Sequence, residues 1–177
     1  MKVFISPYAL ARMLLTSQIQ NETAGVVVGY DEDDNIYVTD AIWARIVGSP
    51  AYVSVPANIV ASIAESIDTL GTKEYIVGWY HTHPGFGHFM SYTDIQTQLK
   101  FQELYEKIVA IIVDPKKENP LEMAKVYQVV PPREVVELEA EVKTPDNIAD
   151  ALKKIGVQVS EDKLVEFFIG ILPKTSI

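Results

Sequence analysis

The chain has no cysteine among its 177 residues. That excludes a disulfide framework, a cysteine-based zinc ribbon and a cysteine nucleophile. Basic residues are in short supply: 15 Lys and Arg stand against 24 Asp and Glu, a formal net charge of −9. A nucleic-acid binder needs a basic face to displace counterions, so that class is set aside. Long apolar runs are missing as well. The longest, such as Val26-Val27-Val28 and residues 108–113, fall far short of the roughly 20 residues a bilayer span requires. Ser6-Pro7 and Arg12 interrupt any apolar signal core near the start. The expectation is a soluble cytoplasmic protein with neither membrane nor nucleic-acid partners. What is present is ordinary globular mass, 48% hydrophobic and 22% charged, enough for a real core.

Val3-Phe4-Ile5 reads as a short strand. Ser6-Pro7 follows as an N-cap with proline at the first helical position, which predicts a helix over about 7–19. Residues 25–30 form a strand candidate, joined through the acidic turn at 31–35 to another over 36–46. Gly48-Ser49-Pro50 breaks the chain before a short strand candidate at 52–55. Pro56 opens a helix with Ile59, Ile63, Ile67 and Leu70 on one face and Gly71 past its end. A strand over 74–80 then delivers the chain to His81-Thr82-His83-Pro84, a glycine-bearing loop, and a helix over about 91–105. Strands over 108–113 and 123–130 enclose a polar loop at 116–120.

Pro131-Pro132 is the expected boundary between a domain at 1–130 and a C-terminal extension at 131–177. In that extension Val136, Leu138, Ala140 and Val142 alternate with Glu137, Glu139 and Glu141, the period of a strand. Two short helices follow, capped by Asp146 or Asn147 and by Ser160. Phe167, Phe168, Ile171 and Leu172 either cover the chain's own core or form a homodimer contact. Strands and helices intermingle without a regular βαβ beat, which points to an α+β fold with a mixed sheet flanked by helices.

All three histidines, His81, His83 and His88, fall within eight residues. On a strand, residues i and i+2 project from one face, so His81 and His83 can present two imidazoles to one point. Imidazole is the commonest protein ligand for zinc. Asp94, at the start of the following helix, is the candidate third ligand, and two His with one carboxylate leave an open position, as catalytic zinc sites do. The same helix start, Ser91-Tyr92-Thr93-Asp94, also reads as a capping box. Other metal patterns fail on named residues. A metallo-β-lactamase would need Asp and His where Gly85 and Phe86 stand, a His-Glu-x-x-His motif is absent, and zinc deaminases need cysteines.

His81-x-His83-Pro84, six further residues, then Ser91-x-x-Asp94 resembles the JAMM (MPN-plus) metalloprotease family at every fixed position. The flanks Gly78-Trp79-Tyr80 and Asp94-Ile95-x-Thr97-Gln98 resemble the proteasome-lid deubiquitinases and COP9-signalosome deneddylases of that family, and the chain looks like a compact archaeal relative of them. Glu22-x-x-Gly25, leading into an apolar strand, matches the family's early glutamate. The resemblance implies an MPN (cytidine-deaminase-like) fold, one catalytic zinc on His81, His83 and Asp94, Glu22 as general base, and Ser91 as hydrogen-bond donor to the oxyanion. It implies an isopeptidase or peptidase acting after the C-terminal Gly-Gly of ubiquitin-like modifier proteins and their conjugates. Two alternatives stand beside it: a non-catalytic MPN scaffold, and a peptidase that trims sulfur-carrier proteins. His88 falls where eukaryotic members of the family carry another residue, so it lines the loop, contacts substrate or binds metal transiently. The cysteine-bearing insertion of some family members, with its second structural zinc, has no counterpart here. Short segments at 47–56 and 115–122 imply reduced substrate-embracing insertions, and the long complex-docking helices of eukaryotic members are not seen in the sequence.

Overall fold

The protein is described by a computed structural model covering residues 1–18, 22–44 and 55–172. β1 (Val3–Ile5) ends at Ser6, whose Oγ accepts the Ala9 N–H at 3.1 Å and caps α1 (Pro7–Ser17), with Pro7 at N1 as the sequence suggests. β2 (Ala24–Glu32) and β3 (Asn35–Trp43) form a hairpin. Its tip is Asp33-Asp34, both at positive φ, the two-residue geometry that matches strand twist. The ends predicted for α1 at residue 19 and for β3 at 45–46 lie outside the described residues, as does most of the 52–55 strand candidate.

α2 (Ala57–Leu70) follows, then β4 (Tyr75–Thr82) and α3 (Tyr92–Leu104). β5 (Val109–Val113), a single 3-10 turn at Pro120–Glu122, and β6 (Ala124–Val130) come next. The apolar face expected of α2 is shorter than its spacing suggests: Ile67 is buried, but Leu70 at the helix end is 75% exposed.

The period-two segment is interrupted at Glu139 into β7 (Glu134–Leu138) and β8 (Ala140–Val142). β7 pairs antiparallel with β6, and β8 pairs parallel with β1, giving the order β7-β6-β5-β4-β2-β3-β1-β8. β7 and β8 are therefore the two edges of an eight-stranded sheet, yet one residue joins them. A flat sheet of that size would separate its edges by roughly 34 Å, about ten times the reach of one residue. The sheet must curl until its edges nearly meet. This is an α+β fold with a curved mixed sheet, completed by α4 (Asp146–Lys154) and α5 (Glu161–Ile171). Pro145, not Asp146 or Asn147, occupies the N-cap of α4, so that helix starts without a side-chain cap.

Alternating strand residues feed two cores. Val27, Val77, Val109 and Ile111 pack with Leu10, Met13 and Leu14 of α1 and Val165 of α5, whereas Val26, Trp79 and Ala110 pack with Phe101 of α3 and the apolar side of α2. Phe168 stands edge-on to Tyr8 with centroids 5.3 Å apart, while Phe167 and Ile171 face outward. Among the described residues no helix is long and apolar enough to cross a membrane.

Candidate metal centre

The end of β4 sits between the two cores. Tyr80 reaches Thr16 of α1 and Thr82 reaches Thr23, while Trp79 lies against Phe101 of α3 with His81 beside it. The strand runs two residues further than the sequence suggests, so His81 lies within it. His83, just beyond, keeps the alternation because its N–H donates to Val113 O at 2.7 Å. The two imidazoles thus share a face as expected, with ring centroids 4.5 Å apart and both residues buried.

Asp94 reaches the same point from α3. Ser91 caps the helix: its Oγ accepts the Asp94 N–H at 3.2 Å, and its own N–H donates to Asp94 Oδ2 at 2.8 Å. The carboxylate that completes the cap is only 1% exposed and is turned onto the histidines. Asp94 Oδ1 lies 2.8 Å from His81 Nδ1, and Oδ2 lies 3.7 Å from His83 Nε2. Gln98, one turn on and fully buried, fastens α3 in place. Trp79 Nε1 donates to its Oε1 at 2.8 Å, and its Nε2 donates to Ile108 O at 2.7 Å.

Burial alone would raise the Asp94 carboxyl, but hydrogen bonds from His81 and Ser91 more than offset it and hold it below the ordinary carboxylate value. Burial lowers His83, and the neighbouring His81 lowers it further against the pull of Asp94 and Glu22, so the neutral imidazole is favoured. An ionised carboxylate beside neutral imidazole is the form in which these side chains bind metal. Two ring nitrogens, His81 Nε2 and His83 Nδ1, are buried with no hydrogen-bond partner. Orphaned polar atoms of this kind cost about 1–3 kcal/mol each. One donor atom from each of His81, His83 and Asp94 lies within 4.8 Å of the others, a group that can hold a metal ion. The residues present fit such an ion.

Glu22 joins this cluster from a distant part of the chain. Its Oε2 is 3.8 Å from His81 Nε2, with the side chain one-third exposed. Its position follows from β2, where Ala24 pairs with His81. Gly25 has a steric reason to be glycine, since a Cβ there would stand 2.1 Å from Ile42 O and 2.6 Å from the Tyr80 ring. The Glu-x-x-Gly spacing thus ties the carboxylate to a point of close strand approach. Ser91 Oγ, the expected oxyanion donor, donates to Asp94 Oδ2 at 2.6 Å as well as capping the helix. His88 does not join the cluster. Its Nε2 pairs with Met123 O at 3.0 Å, and its carbonyl accepts from Tyr127 Oη at 2.8 Å, which ties the loop to β6.

Asp114, directly after β5, is a functional residue that no sequence motif singles out. It is buried, and it gathers the loop after His83: Oδ1 accepts from Gly85 N at 2.8 Å and Lys116 N at 3.0 Å, and Oδ2 accepts from Gly87 N at 3.1 Å. Gly85 and Gly87 both adopt φ near +80°, which lets two N–H groups converge on one carboxylate. Burial would raise this acid, but the backbone donors hold it below its ordinary value. The turn to Lys116 is the familiar Asx signal after a strand, and nothing local announces the partners at 85 and 87. Phe86, held between those glycines, is 68% exposed, and Phe89 and Tyr92 are also exposed nearby.

Residues 1–107 match the family described as "JAB1/Mov34/MPN/PAD-1 ubiquitin protease". The chain is 40% identical to COP9 signalosome complex subunit 5 of Kluyveromyces lactis, over 54% of this chain and 26% of that protein. It is 36% identical to 26S proteasome non-ATPase regulatory subunit 14 of Drosophila melanogaster, over 64% of this chain and 38% of that protein. It is 33% identical to the protein named ubiquitin carboxyl-terminal hydrolase RPN11 in Saccharomyces cerevisiae, again over 64% and 38%. The matched region spans well under half the length of each of these relatives.

Proposed function

Because the chain belongs to the JAB1/Mov34/MPN/PAD-1 ubiquitin protease family, we propose that it is a zinc-dependent isopeptidase or peptidase that cuts after the C-terminal Gly-Gly of ubiquitin-like modifier proteins. The observation that carries this reading is the buried pair of imidazoles with unpartnered nitrogens, closed by an ionised Asp94 and faced by Glu22. One relative is named a ubiquitin carboxyl-terminal hydrolase, which supports the substrate class, and the donor set supports the chemistry.

His81, His83 and Asp94 would hold the zinc. Bound there, zinc supplies a Lewis acid that brings the pKa of water toward neutrality. Glu22 takes the proton from the attacking water and delivers it to the leaving amine, a role that suits a carboxylate at the edge of the cluster with access to solvent. Ser91 has one O–H, so it serves Asp94 in the resting site and the developing oxyanion during reaction, not both at once. Asp94 retains the Ser91 N–H when the hydroxyl turns away. Exposed Phe86, Phe89 and Tyr92 offer an apolar rim for an extended tail whose glycines let it approach the cluster closely.

The test is incubation of the zinc-loaded protein with a Gly-Gly-linked ubiquitin-like fusion and, in parallel, with a sulfur carrier extended by a single residue. Cleavage after Gly-Gly alone supports the reading. Cleavage of the sulfur carrier alone would shift the substrate class, and zinc-free, inert protein would leave the scaffold alternative.

A further inference from the structure

Behind the histidines, on the opposite face of β4, lies a chain of buried hydroxyls that the proposed chemistry does not use. Thr16, Thr23 and Thr82 are each at most 3% exposed, and Tyr80 is fully buried. Thr16 Oγ1 lies 2.8 Å from Met13 O and 3.0 Å from Thr23 Oγ1, and Tyr80 Oη donates to it at 3.2 Å. Thr23 Oγ1 is 3.1 Å from Thr82 Oγ1, and the Thr23 N–H donates to Thr82 Oγ1 at 2.8 Å.

Each hydroxyl has one proton, which limits the directions these bonds can take. A carbonyl only accepts, so Thr16 gives its proton to Met13. Thr23 must then donate to Thr16, and Thr82 donates back to Thr23, to its Oγ1 at 3.1 Å or its carbonyl oxygen at 3.5 Å. That leaves the Thr82 oxygen as acceptor for the Thr23 N–H. This N–H belongs to the peptide plane that joins Glu22 to Thr23, so its direction sets where the Glu22 Cα projects. The return bond, Thr82 N–H to Thr23 O at 2.9 Å, closes the pair across the strands one residue beyond the Ala24–His81 partnership.

We propose that Thr82 is the positioning residue for Glu22: its hydroxyl holds the glutamate's peptide plane against the strand that carries the two histidines. The inference rests on the reading of Glu22 as general base. Thr82 touches neither substrate nor metal, and it acts through Glu22 alone. Its location between His81 and His83 makes one strand set both halves of the site, the histidines from one face and the glutamate from the other.

Thr82→Val keeps the shape and removes the hydroxyl, whereas Thr82→Ser keeps the hydroxyl and removes the methyl. A small misplacement of a catalytic group costs up to about 100-fold in rate. The expected result for Thr82→Val is a fall in kcat of that size, with KM and zinc affinity (read by chelator competition) unchanged and the Thr23 amide losing its protection from hydrogen exchange. Thr82→Ser, which keeps the hydroxyl, should stay close to wild type on every readout. Thr23→Val, which cuts the hydroxyl chain but keeps the Thr23 N–H, covers the case in which Thr82→Val does not fold, and a smaller fall in kcat is expected from it. An unchanged kcat in the valine variants would overturn the proposal. So would a fall in zinc affinity that parallels kcat, or an equal loss in Thr82→Ser. Glu22→Gln run alongside separates the two readings. If it retains wild-type kcat, the general-base assignment fails, while the Thr23 amide still reports whether Thr82 holds that peptide plane.

Discussion

The two halves of the site are held in opposite ways. His81, His83 and Asp94 lie within fourteen residues of one another, all buried, with His81 held by strand pairing, His83 by its N–H to Val113 O, and Asp94 by the Ser91 cap. Glu22 comes from 59 residues before His81 and is partly exposed, its carboxylate 3.8 Å from that ring. The local half is built to stay rigid and dry, which suits ligands that must not rearrange. The remote half stands at the solvent edge, which suits a group that must meet water and hand on a proton. Its geometry is borrowed from strand pairing and from the hydroxyl chain beneath it.

Substitutions that cut into one half and spare the other test this contrast. The largest effect is expected from His83→Ala, or from chelation of the wild type: zinc content and cleavage should fall together to background, with zinc restoring only the chelated wild type. Glu22→Gln should lower kcat by about 10²–10⁴-fold while the zinc content stays whole. Asp114→Asn weakens the loop that links His83 to Ser91. A loss of about 1–3 kcal/mol in denaturant unfolding is expected, because one carboxylate oxygen becomes a donor facing the Gly87 N–H. Its pH dependence has a definite sign. The Asp114 carboxyl is depressed in the fold, so its stabilisation is fully present above the unfolded value, near pH 4, and is lost as pH falls through its lower folded value. The stability gap between wild type and Asp114→Asn should therefore be constant at neutral pH and close in acid. Ser91→Ala removes the α3 cap and should cost about 1 kcal/mol of stability, with an additional fall in kcat if the hydroxyl also serves the oxyanion. Phe86→Ser should leave stability within about 0.5 kcal/mol, with any effect confined to KM for the modifier.

The same contrast explains what the sequence made legible. A period of two aims His81 and His83 together, and Ser91-x-x-Asp94 places a carboxylate at a helix start; both are local rules, and both hold in the structure. Glu22 is picked out only by its resemblance to a family pattern, since its approach to His81 depends on the pairing of β2 with β4, which no short window encodes. Asp114 and Thr82 were missed for the same reason: their partners lie 27 to 59 residues away. The alternation through residues 136–142 correctly marked a strand, but the break at Glu139 is set by sheet closure, as β7 and β8 pair with opposite edges. The apolar spacing of α2 overreached at Leu70, where the helix runs past the core it covers.

The most direct test of the account measures zinc content and cleavage of a Gly-Gly-linked ubiquitin-like fusion on the same preparations of wild type and Glu22→Gln. One zinc per chain in both proteins, with cleavage in the wild type and almost none in the variant, is the result expected of a rigid ligand cluster served by a separately positioned base. Equal cleavage by the two proteins, or loss of zinc together with Glu22, would contradict it.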